Sequence, residues 1–321
     1  MKKTLFLLLL ILPAFVFAQD SIPPKNWKWT GLTGINLNQA SFSNWTAGGT
    51  NSFAFSALGK YTGDYTKNKL TWKNNLNLKY GMIKEQDENL TKNEDLIELI
   101  SVVGSDVGKH WAFTGYVSFR TQFANGYDKD YDTIKISEFM APAYLTLSPG
   151  FRYQPVEWFY LLLSPVTAKF TFVLDQDLAD LGSFGVKPAP TDSLGNITEP
   201  GAGENVLVYL GPFFEAYMKK DIAKNLNFES RLNGLYTLLN RDNLEGYDMD
   251  LSWENFLNYH FAKYFSVSLF LHFVYYPGQP MITFETLPDG AVKVGAKPNR
   301  KIQIKETLGI GITFIFPEEK K

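Results

Sequence analysis

From Leu70 to Gly81 the chain reads LTWKNNLNLKYG. Leu70, Trp72, Leu76, Leu78 and Tyr80 stand at one parity, and Thr71, Lys73, Asn75, Asn77 and Lys79 at the other. Side chains of a strand alternate sides, so this segment predicts a strand with one apolar face and one wet, partly charged face. The pattern recurs at Leu226, Phe228, Leu232, Tyr236 and Leu238, set against Asn227, Glu229, Arg231, Asn233 and Thr237. It returns at Ile302, Ile304, Leu308, Ile310, Ile312, Phe314 and Phe316, opposed by Lys301, Gln303, Lys305 and Thr307. Repeated strands of this kind predict an all-β chain, a transmembrane antiparallel β-barrel with its apolar side out and its polar side in.

The connections sharpen the count. Tight turns fit at Thr66–Asn68, Gly108–His110, Gln154–Glu157, Asp221–Asn225 and Ala262–Tyr264. Long polar connections fit at Gln39–Gly49, Lys84–Asn93, Asn125–Lys135, Asp175–Gly203, Asn240–Tyr247 and Pro277–Arg300. Short turns on one rim and long loops on the other are the habit of outer-membrane barrels. Five turns and six loops predict twelve strands, within a range of ten to fourteen. Both termini then share the short-turn side, which is the periplasm if the long loops face outward.

The N-terminus reads as a signal peptide over 1–18. Lys2 and Lys3 give the positive start, Leu5 to Leu12 the apolar stretch, and Ala18 a small-residue exit. A short periplasmic lead over 19–27, one barrel domain over 28–316 and a charged tail over 317–321 complete the expected organisation. With no cysteine anywhere, a lipid-anchored lipoprotein, a disulfide framework and thiolate chemistry are excluded. The formal charge is −2, and loss of Lys2 and Lys3 makes it −4, so no basic face for nucleic acid is expected. Location in the outer membrane of a Gram-negative bacterium follows from the signal and the strands together.

Aromatic residues make up 16% of the chain, with 26 Phe, and their placement matters more than their number. Trp72, Trp111, Trp158 and Tyr264 fall beside inferred short turns, while Tyr80, Tyr127, Tyr275 and Trp253 fall nearer the other rim. Amphipathic rings favour the headgroup level, so two girdles are expected. The last strand ends on the aromatic Phe316 before Pro317, resembling the signal read by the outer-membrane insertion machinery.

Four segments carry a family resemblance: QASFSNWTAGGTNSF (Gln39–Phe53), TQFANGYD (Thr121–Asp128), APAYLTLSPGF (Ala141–Phe151) and LLLSPVTAKFTFVLDQDLADLGSFGV (Leu161–Val186). They are similar to an uncharacterised domain-of-unknown-function family of secreted, outer-membrane β-barrel-like proteins in the Bacteroidota. The resemblance implies the location. It transfers no activity, ligand or catalytic residue.

Candidate chemistry is sparse. His110, His260 and His272 are not spaced as metal ligands and have no cysteine beside them. Asp175, Asp177 and Asp180 in DQDLAD could face a hard cation, but the run lacks the glycine turn and closing glutamate of an EF-hand loop. A short helix start, with Asp175 or Asp177 at its positive end, is the reading preferred. No catalytic residue, metal or cofactor is assigned. Alternation places Lys60, Asp64, Lys73, Lys79, Arg120, Glu229, Arg231, Asp250, Glu254, Lys301 and Lys305 in the lumen, seven basic against four acidic. They either line a narrow channel mildly favouring anions or neutralise one another in a plugged interior. Phe42 and Trp45 in the first long connection mark a contact site for lipid or an outer-membrane protein partner. Asp132-Thr133-Ile134 and Asp192-Ser193-Leu194 resemble an acidic-hydroxyl-aliphatic O-glycan pattern, with Thr133 and Ser193 as acceptors.

Three function classes follow. The first is a narrow solute channel with a charged lumen or another non-enzymatic barrel. The second is a structural or accessory partner-binding barrel of an outer-membrane assembly. The remote third is a barrel-embedded hydrolase, for which His272 near outer-rim Ser or Asp residues is the only support.

Overall fold

The computed structural model describes residues 26–316 apart from 41–51, 86–87, 129–130, 132–133, 193–194, 239–248, 287–291 and 299. The expected signal peptide over 1–18, most of the expected lead over 19–27, Phe42, Trp45, Thr133, Ser193 and residues 317–321 therefore lie outside the described residues. Twelve strands close into a barrel: β1 (Trp27–Ala40), β2 (Ser52–Lys67), β3 (Leu70–Glu85), β4 (Thr91–Asp106), β5 (Trp111–Thr121), β8 (Ala143–Val156), β9 (Phe159–Phe172), β10 (Val206–Ala223), β11 (Leu226–Tyr236), β12 (Met249–His260), β13 (Phe265–Tyr275) and β16 (Gln303–Phe316). Two small hairpins stand apart from the wall, β6 (Gly126–Tyr127) with β7 (Lys135–Ser137), and β14 (Pro280–Thr286) with β15 (Val292–Pro298). All wall pairings are antiparallel, and β16 closes the ring on β1 from Gly31–Phe316 to Asn36–Gly311.

The five tight turns fall where the sequence predicts them. Two of them are made by asparagine in the left-handed region, Asn68 at φ 55° and Asn225 at φ 63°, a conformation asparagine tolerates better than most residues. The six longer connections all fall on the opposite rim. Closure leaves no unpaired sheet edge, and the outer surface is apolar: Ile304, Ile310 and Phe314 are each more than half exposed. Side chains like these are stable in hydrocarbon and costly in water, which is the signature of a transmembrane β-barrel.

An aromatic cluster marks the short-turn rim. Trp27 stacks on Trp29 at 5.2 Å and meets Trp72 at 5.5 Å, Trp111 meets Tyr153 at 4.9 Å, and Tyr264 meets Phe314 at 5.5 Å. The opposite girdle is less regular. Tyr127 belongs to the β6 hairpin rather than to the wall, because the chain leaves the barrel after Thr121. Trp253 packs on Phe273 at 5.4 Å, on the outer face.

The longest described loop carries a small core of its own over the long-loop rim. It contains a one-turn helix α1 (Gln176–Asp180) capped by Asp175, whose Oδ1 accepts from the Leu178 N–H at 2.9 Å. Leu178, Ala179 and Val186 pack there against Val173 and Ala141.

The interior departs from the simple polar-in pattern. Ile100 and Val102 of β4, Tyr116 of β5, Leu162 of β9, Tyr209 and Phe213 of β10 and Leu235 of β11 form one buried apolar cluster inside the barrel. In β4 both parities are apolar, so alternation alone does not reveal it.

Candidate functional site: the ionic closure of the lumen

The lumen-facing parity of each strand is set by its register, and that register brings charges from opposite walls together. Arg231 of β11 is the centre. Its Nη1 lies 3.4 Å from Glu98 Oε2 of β4 and 3.7 Å from Glu254 Oε2 of β12. Its Nε lies 3.9 Å from Glu215 Oε2 of β10, an ionic contact too long for a hydrogen bond. Arg120 of β5 completes the cluster, donating from Nη2 to Glu254 Oε1 at 2.6 Å with its Nε 3.6 Å from Glu98. In the ring order β4 and β5 stand on one side and β11 and β12 on the other, so Arg231–Glu98 and Arg120–Glu254 cross the barrel, while Arg231 with Glu254 and Glu215, and Arg120 with Glu98, bridge neighbouring strands.

Glu215 is the most enclosed acid, with no solvent exposure. Tyr160 and Tyr116 donate to its two oxygens at 2.7 and 3.1 Å. Asn77 donates to Glu98 at 2.7 Å. A buried charge is tolerated only when it is paired and hydrogen-bonded, and each acid of this cluster is both.

Further bridges flank the centre. Lys60 of β2 reaches Glu229 of β11 at 3.3 Å and lies over the Phe256 ring at 4.0 Å. Lys169 of β9 meets Asp250 of β12 at 2.5 Å. Lys305 of β16 meets Glu94 of β4 at 3.0 Å, and the Thr307 hydroxyl donates to the same carboxylate at 3.2 Å. Lys79 lies over the Phe270 ring at 3.5 Å. Asp64 and Lys73 are register partners across β2 and β3. At the long-loop rim, Gln279 donates to the Tyr144 hydroxyl at 2.7 Å. The cavity among Glu98, Arg120, Lys169, Arg231, Asp250 and Glu254 has a volume of about 90 Å³.

Ten of the eleven charges read from alternation fall on barrel strands. Lys301 does not: it lies two residues before β16, exposed, because the strand starts at Gln303. Glu94, Glu98 and Glu215 also join the lumen, alongside Lys169, Arg152, and Lys28 and Lys219, the register partners of Asp64 and Glu229. Lys169 was legible in Thr167, Lys169 and Thr171 against Ala168, Phe170 and Phe172. Glu215 was not, because its strand is apolar at both parities over Val206–Phe214.

The acidic run is structural. Asp175 caps α1 and also accepts from Lys135, which in turn donates to Glu138 at 2.9 Å. Asp180 accepts from the Gly201 and Gly203 N–H groups at 2.6 and 2.9 Å, and the Gly201 bond first of all holds its carboxyl below the usual range. Among the described residues no group of three or more His, Cys, Asp or Glu could hold a metal. His272 offers no triad either. Ser252 Oγ at 2.9 Å and Glu254 Oε1 at 3.7 Å both approach its Nε2, whereas a triad needs nucleophile and acid on different nitrogens.

Fold and site together define a twelve-stranded transmembrane β-barrel with an ionically bridged lumen. Residues 37–127 match a family described as a protein of unknown function (DUF3078). That stretch contains Gln39–Phe53 and all but the last residue of Thr121–Asp128. No curated protein matches the chain. Among solved structures it is similar to the translocator domain of the autotransporter NalP from Neisseria meningitidis, at 10% identity and a TM-score of 0.36, covering 96% of this chain and 94% of that one. It is also similar to the COG4313 outer membrane channel from Pseudomonas putida F1, at 10% identity and a TM-score of 0.37, covering 93% and 97%. The NanC porin matches at 8% identity and a TM-score of 0.36, covering 89% and 98%. At these identities and scores the likeness says nothing of substrate.

Proposed function

We propose that this protein is a non-enzymatic outer-membrane β-barrel whose resting lumen is shut. Its short turns and both chain ends face the periplasm. The observation that carries this reading is Arg231, held among three carboxylates from β4, β10 and β12. An aqueous channel would hydrate such charges separately. Here Arg231 and Arg120 pair with Glu98, Glu215 and Glu254 both along and across the barrel, beside a buried apolar cluster. The barrel thus acts at its wall and its outward loops more than as a standing pore. On this reading the aromatic end of β16 serves the insertion machinery, and the first long connection, with Phe42 and Trp45, supplies a contact site for lipid or a protein partner.

A liposome-swelling assay tests it. Proteoliposomes of the native barrel placed in an iso-osmotic pentose should not swell above protein-free vesicles. Swelling at a porin-like rate would contradict the closed lumen and return the channel reading.

A further inference from the structure

Pro149, Pro165 and Pro212 stand in three neighbouring strands, β8, β9 and β10. Proline inside a sheet is confined to edges and bulges because it has no N–H to give the ladder. The wall breaks where they stand. The β8–β9 register shifts between Leu147 and Phe151, and the β9–β10 register shifts between Gly211 and Phe213. Opposite Pro212, β9 carries two residues, Pro165 and Val166, between its paired neighbours Ser164 and Thr167.

Side-chain hydroxyls take over the freed carbonyls from the inner side. Ser164 Oγ lies 2.6 Å from the Pro149 carbonyl and 2.9 Å from that of Val166, and Thr114 donates to the Gly150 carbonyl at 3.2 Å. Proline brings no N–H, so none of the three adds a donor that hydrocarbon would leave unpaired.

On the outer face of this break lies an apolar cleft of about 540 Å³, lined by Phe151, Leu163, Pro165, Pro212, Phe214 and Tyr236 among others, with no charged side chain. It is continuous with the exposed outer face of Phe151, Leu163 and Tyr236. Phe213 lines both this cleft and the internal cavity, and its ring meets Tyr116 at 5.5 Å inside. Phe213 is thus shared between the outer cleft and the internal cavity that holds Glu98, Arg120 and Arg231.

We propose that this cleft holds one acyl chain of a membrane lipid, and that Phe213 is the divider between that chain and the barrel interior. The occupant follows from the lining and the place. The cleft is uncharged, and it opens from the wall face that the bilayer covers. The inference rests on the barrel standing in a membrane, as proposed above.

The test uses the full barrel reconstituted in vesicles of phosphatidylcholine with an acyl-chain diazirine, followed by irradiation and peptide mapping. Adducts should be at least three-fold enriched on Phe151, Leu163, Phe214 and Tyr236 over Leu308, Ile310 and Phe314, which face out on the regular wall. Leu163→Trp should fill the cleft and abolish the enrichment while leaving Ile310 labelled. Tyr236→Trp gives the same reading if the first variant does not assemble. Phe213→Ala should add adducts on Tyr116 and Leu235. Equal labelling of cleft and regular wall, or enrichment that survives both fillers, overturns the acyl-chain site. Inner residues left unlabelled in Phe213→Ala overturn the divider. Labelling of neither face overturns the membrane reading along with it.

Discussion

The wall from β1 to β3 and the wall from β8 to β10 solve the same problem differently. In the first, β1 and β2 pair from Trp27–Tyr65 to Ala40–Ser52, and β2 and β3 from Ser52–Glu85 to Lys67–Leu70, without a shift. Its inner parity is polar, with Lys60, Asp64, Lys73, Asn77 and Lys79. In the second, the register slips at three prolines, hydroxyls stand in for backbone donors, and the inner face carries Leu162, Tyr209 and Phe213. The first wall is held by its own unbroken ladder; the second adds packing from within where prolines interrupt the ladder.

The ionic cluster joins β4 and β5 to β10, β11 and β12 across the lumen between these walls, so its removal has the largest expected effect. Arg231→Ala leaves Glu98, Glu215 and Glu254 short of their shared cation, at a cost of about 3–5 kcal/mol for a broken buried pair. Lys305→Ala removes a half-exposed pair and should cost only about 0–1 kcal/mol. Urea midpoints of the two variants, read by heat-modified gel mobility, compare them. Similar midpoints would deny Arg231 its central place.

The regular wall makes its own prediction. Leu76→Arg puts a charge on the outer face at a cost of about 2–4 kcal/mol near the midplane. Asn77→Arg places the same charge inside, beside Glu98, and should assemble nearly as well as native protein. Equal assembly yields would contradict the assigned faces.

This alternation is what made the fold legible. Leu70–Gly81, Leu226–Leu238 and Ile302–Phe316 announce strands because one face meets lipid and the other meets charge. The turns announce themselves through residues such as Asn68 and Asn225. Strands β4 and β10 hide, because long stretches of both are apolar on both parities and periodicity cannot say which side faces in. Their acids, Glu98 and Glu215, become visible only once the fold sets them beside Arg231. The prolines were in plain sight, yet their meaning depends on three strands being neighbours, which no single segment reveals.

Close approach separates the walls again. A Cβ on Gly211 would sit 1.7 Å from the Tyr236 carbonyl oxygen, a backbone atom that cannot turn aside. On Gly59 it would meet only the Tyr61 ring at 2.9 Å, which can. Gly211→Ala should therefore cost at least about 1–3 kcal/mol, the range for overpacking, and Gly59→Ala clearly less. Refolding yield into detergent micelles ranks them, and the reverse order would refute the close packing of β10 on β11.

The smallest effect lies in the β9–β10 loop. Asp180 has a carboxyl pKa below its unfolded value of about 3.9, so its bonds to Gly201 and Gly203 stabilise the loop above that pH. That contribution fades as pH falls through the lowered value. Hydrogen exchange corrected for intrinsic rates should lose protection at Gly201 and Gly203 in acid while β2–β3 amides keep theirs. Loss in both regions together would place the acid-sensitive step elsewhere.

The central claim is that charge crossing the barrel keeps the lumen shut, and single-channel recording in a planar bilayer tests it most directly. The native barrel should give no stable ohmic step, whereas Arg231→Ala that has passed the gel-mobility check should give discrete openings. A steady open step from native protein, with conductance unchanged in Arg231→Ala, would contradict it.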